Sequence, residues 1–242
     1  MGTVDTPSDP ASTCRLLAFD TAIETSSLAL VTPGRTLTLD CPGGAQASTR
    51  LLPDIRRMLT DGACVLADVD AIAFGCGPGA FTGLRTACSV AQGLAFGAGV
   101  PVLPVDTLMA VAEEARFLNG CTQVVAVLDA RMDEVYCAAY RFGDGRWLQR
   151  GEPRLSAPEA VQPEHGWALA GNAFSAYGSR LAAGAARVEA LPTAAALLRL
   201  APALLTAGHA VPAAGALPLY IRDKVAQTTV ERAAQRAAAQ TT

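Results

Sequence analysis

The residues with the most chemical potential lie between Gly75 and Arg85, in the order Gly75-Cys76-Gly77-Pro78-Gly79-Ala80-Phe81-Thr82-Gly83-Leu84-Arg85. An apolar run, Ala71 to Phe74, precedes them and a small-residue segment, Thr86 to Ala98, follows. Glycine density of this kind requires a sharp turn and a close backbone approach. One reading is a phosphate cradle, with Thr82 capping the next helix and free N–H groups meeting an anion. It is not a P-loop, because no Gly-Lys-Ser/Thr follows. Nor is it a dinucleotide loop, because Asp106, the nearest acid at the required distance, opens a helix instead of closing a strand. The other reading is packing: glycines that let strand and helix touch. Cys76 sits in the same turn, but a thiol nucleophile needs a base, and His165 and His209, the two histidines, lie far along the chain. Two scattered histidines also give no basis for a metal site.

The remaining candidates are carboxylates. Asp20 ends the expected buried strand Arg15 to Phe19 and is followed by Thr21, Ala22, Ile23 and Glu24. Asp129 ends Val124 to Leu128, with Asp133 four residues on. Strand, aspartate, short acidic turn and strand therefore occur twice, a weak internal repeat that implies two related lobes.

Around these residues the chain alternates strand and helix signals. Ser26 to Thr32 and Thr36 to Asp40 read as strands joined at Pro33-Gly34. Ser48 to Thr60 reads as an amphipathic helix with Leu51, Leu52, Ile55, Met58 and Leu59 on one face, and Pro53 belongs near its first turn. In the helix after the glycines, Gly83, Ala87, Ala91 and Ala95 form a small-residue stripe beside an uncharged row, Thr86, Val90 and Leu94. Two uncharged faces on one helix call for two packing partners, one of which can be another subunit. Val100 to Val105 is a strand, and the helix Leu108 to Leu118 ends at Asn119-Gly120, the best lobe boundary. A helix near Ala173 to Ala182 and another over Thr193 to Ala207 follow. The expected organisation is a disordered extension over 1–13, an N-terminal lobe over 14–119, a C-terminal lobe over 120–228 and an exposed tail over 229–242. The fold class is α/β, with two lobes, each a mixed sheet of about five strands with helices.

Bulk properties limit the function classes. The formal charge is −3 and no run of Lys or Arg occurs, so the chain alone should hold nucleic acid poorly. Seven cysteines without a C-x-x-C pair point to reduced thiols in the cytoplasm. No basic-then-apolar leader opens the sequence and no apolar run reaches membrane-spanning length, so neither secretion nor a membrane role is expected.

Two lobes with an aspartate closing the first strand resemble the actin, sugar kinase and Hsp70 superfamily, the ribonuclease H-like ASKHA fold. More specifically, Leu17-Ala18-Phe19-Asp20-Thr21, Arg50-Leu51-Leu52-Pro53, the Gly75–Arg85 segment, Ala91-Gln92-Gly93-Leu94-Ala95, Asp129 to Tyr136 and Pro218-Leu219-Tyr220-Ile221-Arg222 resemble the TsaB (YeaZ) family. The likeness is dense from 16 to 140 and patchy after. It implies a non-catalytic subunit of the bacterial machinery that makes threonylcarbamoyladenosine on tRNA, with no cofactor or metal of its own. The implied partners are a TsaD-type transferase, a TsaE-type ATPase in a larger assembly, tRNA only through that assembly, and a second copy of the chain when the partner is absent. The partner surface implied by the resemblance is Leu51, Leu52, Ile55, Met58, Leu59, Thr82, Thr86, Val90 and Leu94, on the first two helices. The histidine pair of TsaD has no counterpart here, Ala22 stands where a phosphate-binding glycine is expected, and Ala47 stands near where many relatives have histidine. These departures leave Asp20, Gly79, Thr82 and Asp129 as candidates for a degenerate cleft. The alternative is an active ATP-dependent transferase with Asp20, Glu24, Asp129 and Thr82 lining its cleft. A metalloprotease finds no ligand cluster in the sequence.

Overall fold

The computed structural model describes residues 3–7, 14–182 and 184–222. Its strands form two mixed sheets. In the first, β1 (Val4–Pro7), β2 (Leu16–Asp20), β3 (Thr25–Thr32), β4 (Arg35–Pro42), β5 (Ala71–Gly77) and β6 (Val102–Asp106) lie in the order β1-β4-β3-β2-β5-β6. In the second, β7 (Gln123–Arg131), β8 (Glu134–Gly143), β9 (Arg146–Ser156), β10 (Ala168–Gly171) and β11 (Arg187–Glu189) lie in the order β11-β10-β7-β8-β9. With β1 set aside, the two sheets are wired identically. The first strand pairs antiparallel with the second and parallel with the fourth. The strand-aspartate-turn repeat in the sequence is thus a repeat of ribonuclease H-like lobes, and the α/β two-lobe architecture holds.

The central strand of the first sheet alternates between two cores. Leu17 and Phe19 face one and pack with α1 (Ala47–Asp61) and α2 (Phe81–Ala98). Leu16 and Ala18 face the other, which is shared with the second sheet. Between the sheets lie α3 (Thr107–Asn119) and α5 (Ala194–Thr206), which also pack on each other. Asp106 is the last residue of β6 as well as the cap of α3, where it accepts from the N–H groups of Leu108 and Met109. It closes a strand and opens a helix at once, not the helix alone as the sequence suggested. Gly120, in the left-handed region at φ 69°, ends α3. Thr193 caps α5.

Four further details of the fold differ from the sequence expectation. Val4–Pro7 is not disordered: it is an exposed edge strand paired with β4. The boundary at Asn119 separates the sheets but not the helices, because α5 lies against β2, β3 and β5 of the first sheet. Pro53 sits in the second turn of α1, since the helix starts at Ala47; its ring faces solvent. The helix expected over 173–182 is only α4 (Phe174–Tyr177), followed by a 3-10 turn over Gly178–Arg180. The tail expected over 229–242 lies outside the described residues.

A buried carboxylate ties the inter-sheet helices together. Glu113 on α3, 2% exposed, accepts from Arg116 and Arg199 and from the Trp147 indole, using both oxygens twice. These donors hold its carboxyl below the usual range, against the opposing effect of burial. Glu113→Gln would turn one double acceptor into a donor facing donors. The expected cost is about 2 kcal/mol, read as a fall in the urea midpoint, whereas a solvated cluster would show no change.

Candidate functional site: inter-lobe cleft and helix pair

The glycine segment forms the end of β5 and the entry to α2, and the space around its glycines is filled by this chain. A Cβ on Gly75 would lie 1.7 Å from Asp20 Oδ2, one on Gly79 2.6 Å from the Ala22 carbonyl oxygen, and one on Gly83 1.8 Å from the Thr21 carbonyl oxygen. Gly77, at φ 126°, would meet the Leu219 carbonyl oxygen at 2.5 Å. The turn after β2 is pressed into the loop and bonded there: Ala80 N–H donates to the Ala22 carbonyl at 2.7 Å, and the Thr21 hydroxyl donates to the Gly83 carbonyl at 2.7 Å. The Gly77 N–H donates to Thr107 Oγ1. Of the two sequence readings, the geometry matches close packing. Thr82 does not cap α2; the capping position is Ala80, without a side-chain bond, and Thr82 is exposed.

Asp20 lies beneath this packing. It is 0% exposed; Oδ1 accepts from the Ala22 N–H at 2.7 Å, and Oδ2 has no hydrogen-bond partner. Burial pushes its pKa up to about 7, only partly offset by the Ala22 bond. Burial, then the charges of Asp106 and Asp20, push the Cys76 thiol up to about 12, so it carries no thiolate near neutral pH.

Asp129 is the topological mate of Asp20 but sits in different surroundings. Its Oδ1 accepts from the Arg131 N–H and the Tyr177 hydroxyl, and Oδ2 pairs with the Arg131 guanidinium at 3.2 Å. Arg131 also bonds Glu24 of the other lobe. The two aspartates therefore do not converge as a pair: one is sealed in, and the other is held by Tyr177 and by Arg131, which it shares with Glu24. Among the described residues no group of three or more His, Cys, Asp or Glu side chains is placed to hold a metal ion.

Between the lobes lies a cleft of about 260 Å³. Its walls include Ile23 and Glu24 from the first lobe, Asp129 and Tyr136 from the second, and the C-terminal stretch Leu219 to Arg222. That stretch is anchored on both lobes. Leu219 N–H donates to the Cys76 carbonyl at 2.7 Å, Tyr220 stacks on Phe81 and accepts from Arg85, and Arg222 pairs with Glu134 at 2.6 Å. Sequence reading did not find this wall. Its signal was Gly77, whose missing side chain leaves room for Leu219.

The first two helices present a different surface. Leu51, Ile55, Met58 and Leu59 are buried in the core under α1, so their side chains are not available to a partner; Leu52, 44% exposed, is. On α2, Thr82 is exposed, while Thr86, Val90 and Leu94 are half-buried. A Cβ on Gly93 or Gly97 would meet nothing within 4 Å. This face combines apolar and small residues without a charge among those named.

A profile of the family described as "TsaD: tRNA N6-adenosine threonylcarbamoyltransferase" matches residues 43–230. The chain is 38% identical over 226 residues to the tRNA threonylcarbamoyladenosine biosynthesis protein TsaB of Escherichia coli (strain K12), covering 88% of this chain and 96% of that protein. It is 35% identical over 228 residues to the protein of the same name from Haemophilus influenzae, covering 87% and 94%. The solved structure of YeaZ from Pseudomonas aeruginosa superposes with a TM-score of 0.80 at 40% identity, covering 86% of this chain and 99% of that one.

Proposed function

The chain belongs to the TsaB (YeaZ) family, and we propose that it acts in tRNA threonylcarbamoyladenosine biosynthesis as a non-catalytic subunit that binds and activates a TsaD-type threonylcarbamoyltransferase. The observation that carries this reading is the contrast between the two candidate surfaces. The cleft carboxylates are committed within the chain, Asp20 by burial and Asp129 by Arg131 and Tyr177. The outer face of α2 has open small positions at Gly93 and Gly97 beside Val90 and Leu94, which allows a partner helix to approach closely. A partner of the TsaD family, whose profile this chain matches, would offer an equivalent helix pair, giving a pseudo-symmetric bundle. The contact residues are then Leu52, Thr82, Thr86, Val90 and Leu94, with Leu51, Ile55, Met58 and Leu59 supporting them from beneath. A second copy of the chain would use the same face when the partner is absent, and a TsaE-type ATPase would join the assembled pair in the cytoplasm.

Size-exclusion chromatography with the TsaD-type protein of the same organism tests this. Wild type should co-elute with it, while Val90→Glu and Leu52→Glu, each checked for an unchanged circular dichroism spectrum, should weaken association by about a hundredfold or more, because each buries an unpaired charge. Threonylcarbamoyl transfer by the partner at full rate without this chain would overturn the reading. The competing reading, an ATP-dependent transferase, needs Asp20 and Asp129 to face a common substrate. It predicts thermal stabilisation by millimolar ATP, which the scaffold reading does not.

A further inference from the structure

The sequence has no run of basic residues, yet strand pairing assembles a basic face. In β8, alternation directs Tyr136, Ala138, Tyr140 and Phe142 into the inter-sheet core, and Cys137, Ala139 and Arg141 to the opposite face. The β8–β9 register places Arg154 opposite Cys137, Arg150 opposite Ala139, Leu148 opposite Arg141 and Arg146 opposite Gly143. Arg141, Arg146, Arg150 and Arg154 therefore share one face of the hairpin, and β9 is the edge strand of the sheet.

An irregularity in β9 tightens the group. Arg150 and Arg154 are four residues apart, but their partners on β8 are two apart, so the extra residues, including Gly151 at φ 79°, bulge out. The two arginines are drawn to a separation along β8 of about 7 Å, against about 13 Å in a regular strand. Both line a cavity of about 180 Å³ whose wall also includes Gln162, Glu164 and Trp167. All four arginines are exposed or nearly so, and none forms an ion pair with any described residue. Arg116, Arg131, Arg180, Arg199 and Arg222 pair with carboxylates, whereas Arg15, Arg56, Arg85 and Arg187 also form no ion pair with any described residue but are not grouped on one sheet face. Glu164 lines the same cavity, Glu152 lies in the bulge and Asp144 at the hairpin turn, and none of these acids forms an ion pair with the four.

Planar guanidinium groups without internal counter-ions, set at strand spacing on an open surface, match a row of phosphates. Resting on the reading that the chain works in tRNA modification, we propose that this β8–β9 face contacts the phosphate backbone of the tRNA substrate, so that the chain contributes RNA grip as well as activation. The face lies on the second lobe, whereas the proposed partner helices α1 and α2 lie on the first, so both surfaces can be occupied together.

The test is fluorescence anisotropy of labelled tRNA against salt concentration, using the co-eluting complex of this chain with its TsaD-type partner, and the chain alone at low salt. Arg150→Gln/Arg154→Gln should lower the slope of log affinity against log salt by about two, and the four-fold Arg→Gln variant by about three, with at least a tenfold loss of affinity at moderate salt. The chain alone should show the same order of variants. An unchanged slope in both arms would overturn the proposal and leave the arginines as guards of an edge strand. Loss of co-elution with unchanged tRNA affinity would also overturn it, assigning the face to an acidic protein. If wild type itself fails to co-elute, the scaffold reading fails; a variant-sensitive slope in the isolated chain would still support the RNA face.

Discussion

Gly83→Ala is expected to destabilise the protein by about 3–5 kcal/mol, lowering the thermal midpoint by about 10 °C or more. Alanine is ordinarily the better helix residue, and in an open position of α2 it would stabilise by about 0.5–1 kcal/mol. At Gly83 the new Cβ would lie 1.8 Å from the Thr21 carbonyl oxygen. That atom is backbone in a turn whose bond from Ala80 N–H to the Ala22 carbonyl and whose Thr21 hydroxyl bond to Gly83 both hold it against α2. Relief requires the turn to withdraw, which sacrifices both bonds at about 1 kcal/mol each and opens a gap over Asp20. Gly93→Ala, in the same helix with nothing within 4 Å of its Cβ, is the matched control and should raise the midpoint. Equal effects in thermal unfolding would mean that the glycine segment is not a packing device.

That contrast explains why the sequence could be read only so far. The apolar runs Leu16–Phe19 and Val124–Leu128, each closed by an aspartate and a short acidic turn, pointed to two related lobes through a weak repeat, because strand runs and turn chemistry are local properties. The glycine segment was equally visible, but two readings survived, since a glycine needed by a phosphate and one needed by a neighbouring carbonyl look alike in one dimension. The neighbour, Thr21 to Ala22, is about sixty residues away in sequence. The helix faces suffered the same ambiguity. Leu51, Ile55, Met58 and Leu59 fall on one stripe with Leu52 at its margin, and only the packing of α1 over β3 shows that the stripe is core and the margin is surface. Periodicity gives the apolar face of a helix but not what covers it.

Long-range pairing hid the remaining features. The wall made by Leu219 to Arg222 returns to the first lobe after the whole second sheet has been built. The four arginines of the β8–β9 face are separated in sequence by four or five residues, and the bulge that draws Arg150 and Arg154 together depends on register. Val4–Pro7, polar and poor in apolar residues, reads as disordered, yet as an edge strand it needs only the free backbone groups of β4.

Asp20→Asn is expected to stabilise the protein at pH 8 by as much as about 4 kcal/mol while changing little at pH 4. The wild-type carboxyl, pushed up to about 7 by burial, keeps its proton in the folded state where the unfolded chain, near pKa 4, has released it. Between those values the folded protein binds one more proton than the unfolded, so folding stability falls as pH rises through the window, and the whole deficit remains above it. Asparagine keeps an oxygen to accept the Ala22 N–H bond and carries no charge to desolvate, though its NH₂ takes the place of the unpartnered Oδ2. Thermal midpoints of wild type and variant from pH 4 to 8 should therefore diverge, with the variant gaining through the window and the difference levelling off near pH 8. Asp106, also raised by burial and bonded to Tyr140, titrates in both proteins and cancels from the difference. A difference independent of pH would show that Asp20 is ionised throughout, with a counter-charge or donor reaching Oδ2 in solution. A polar ligand aimed at that oxygen would then become the next question, and the reading of the first-lobe aspartate as a sealed remnant would have to be given up.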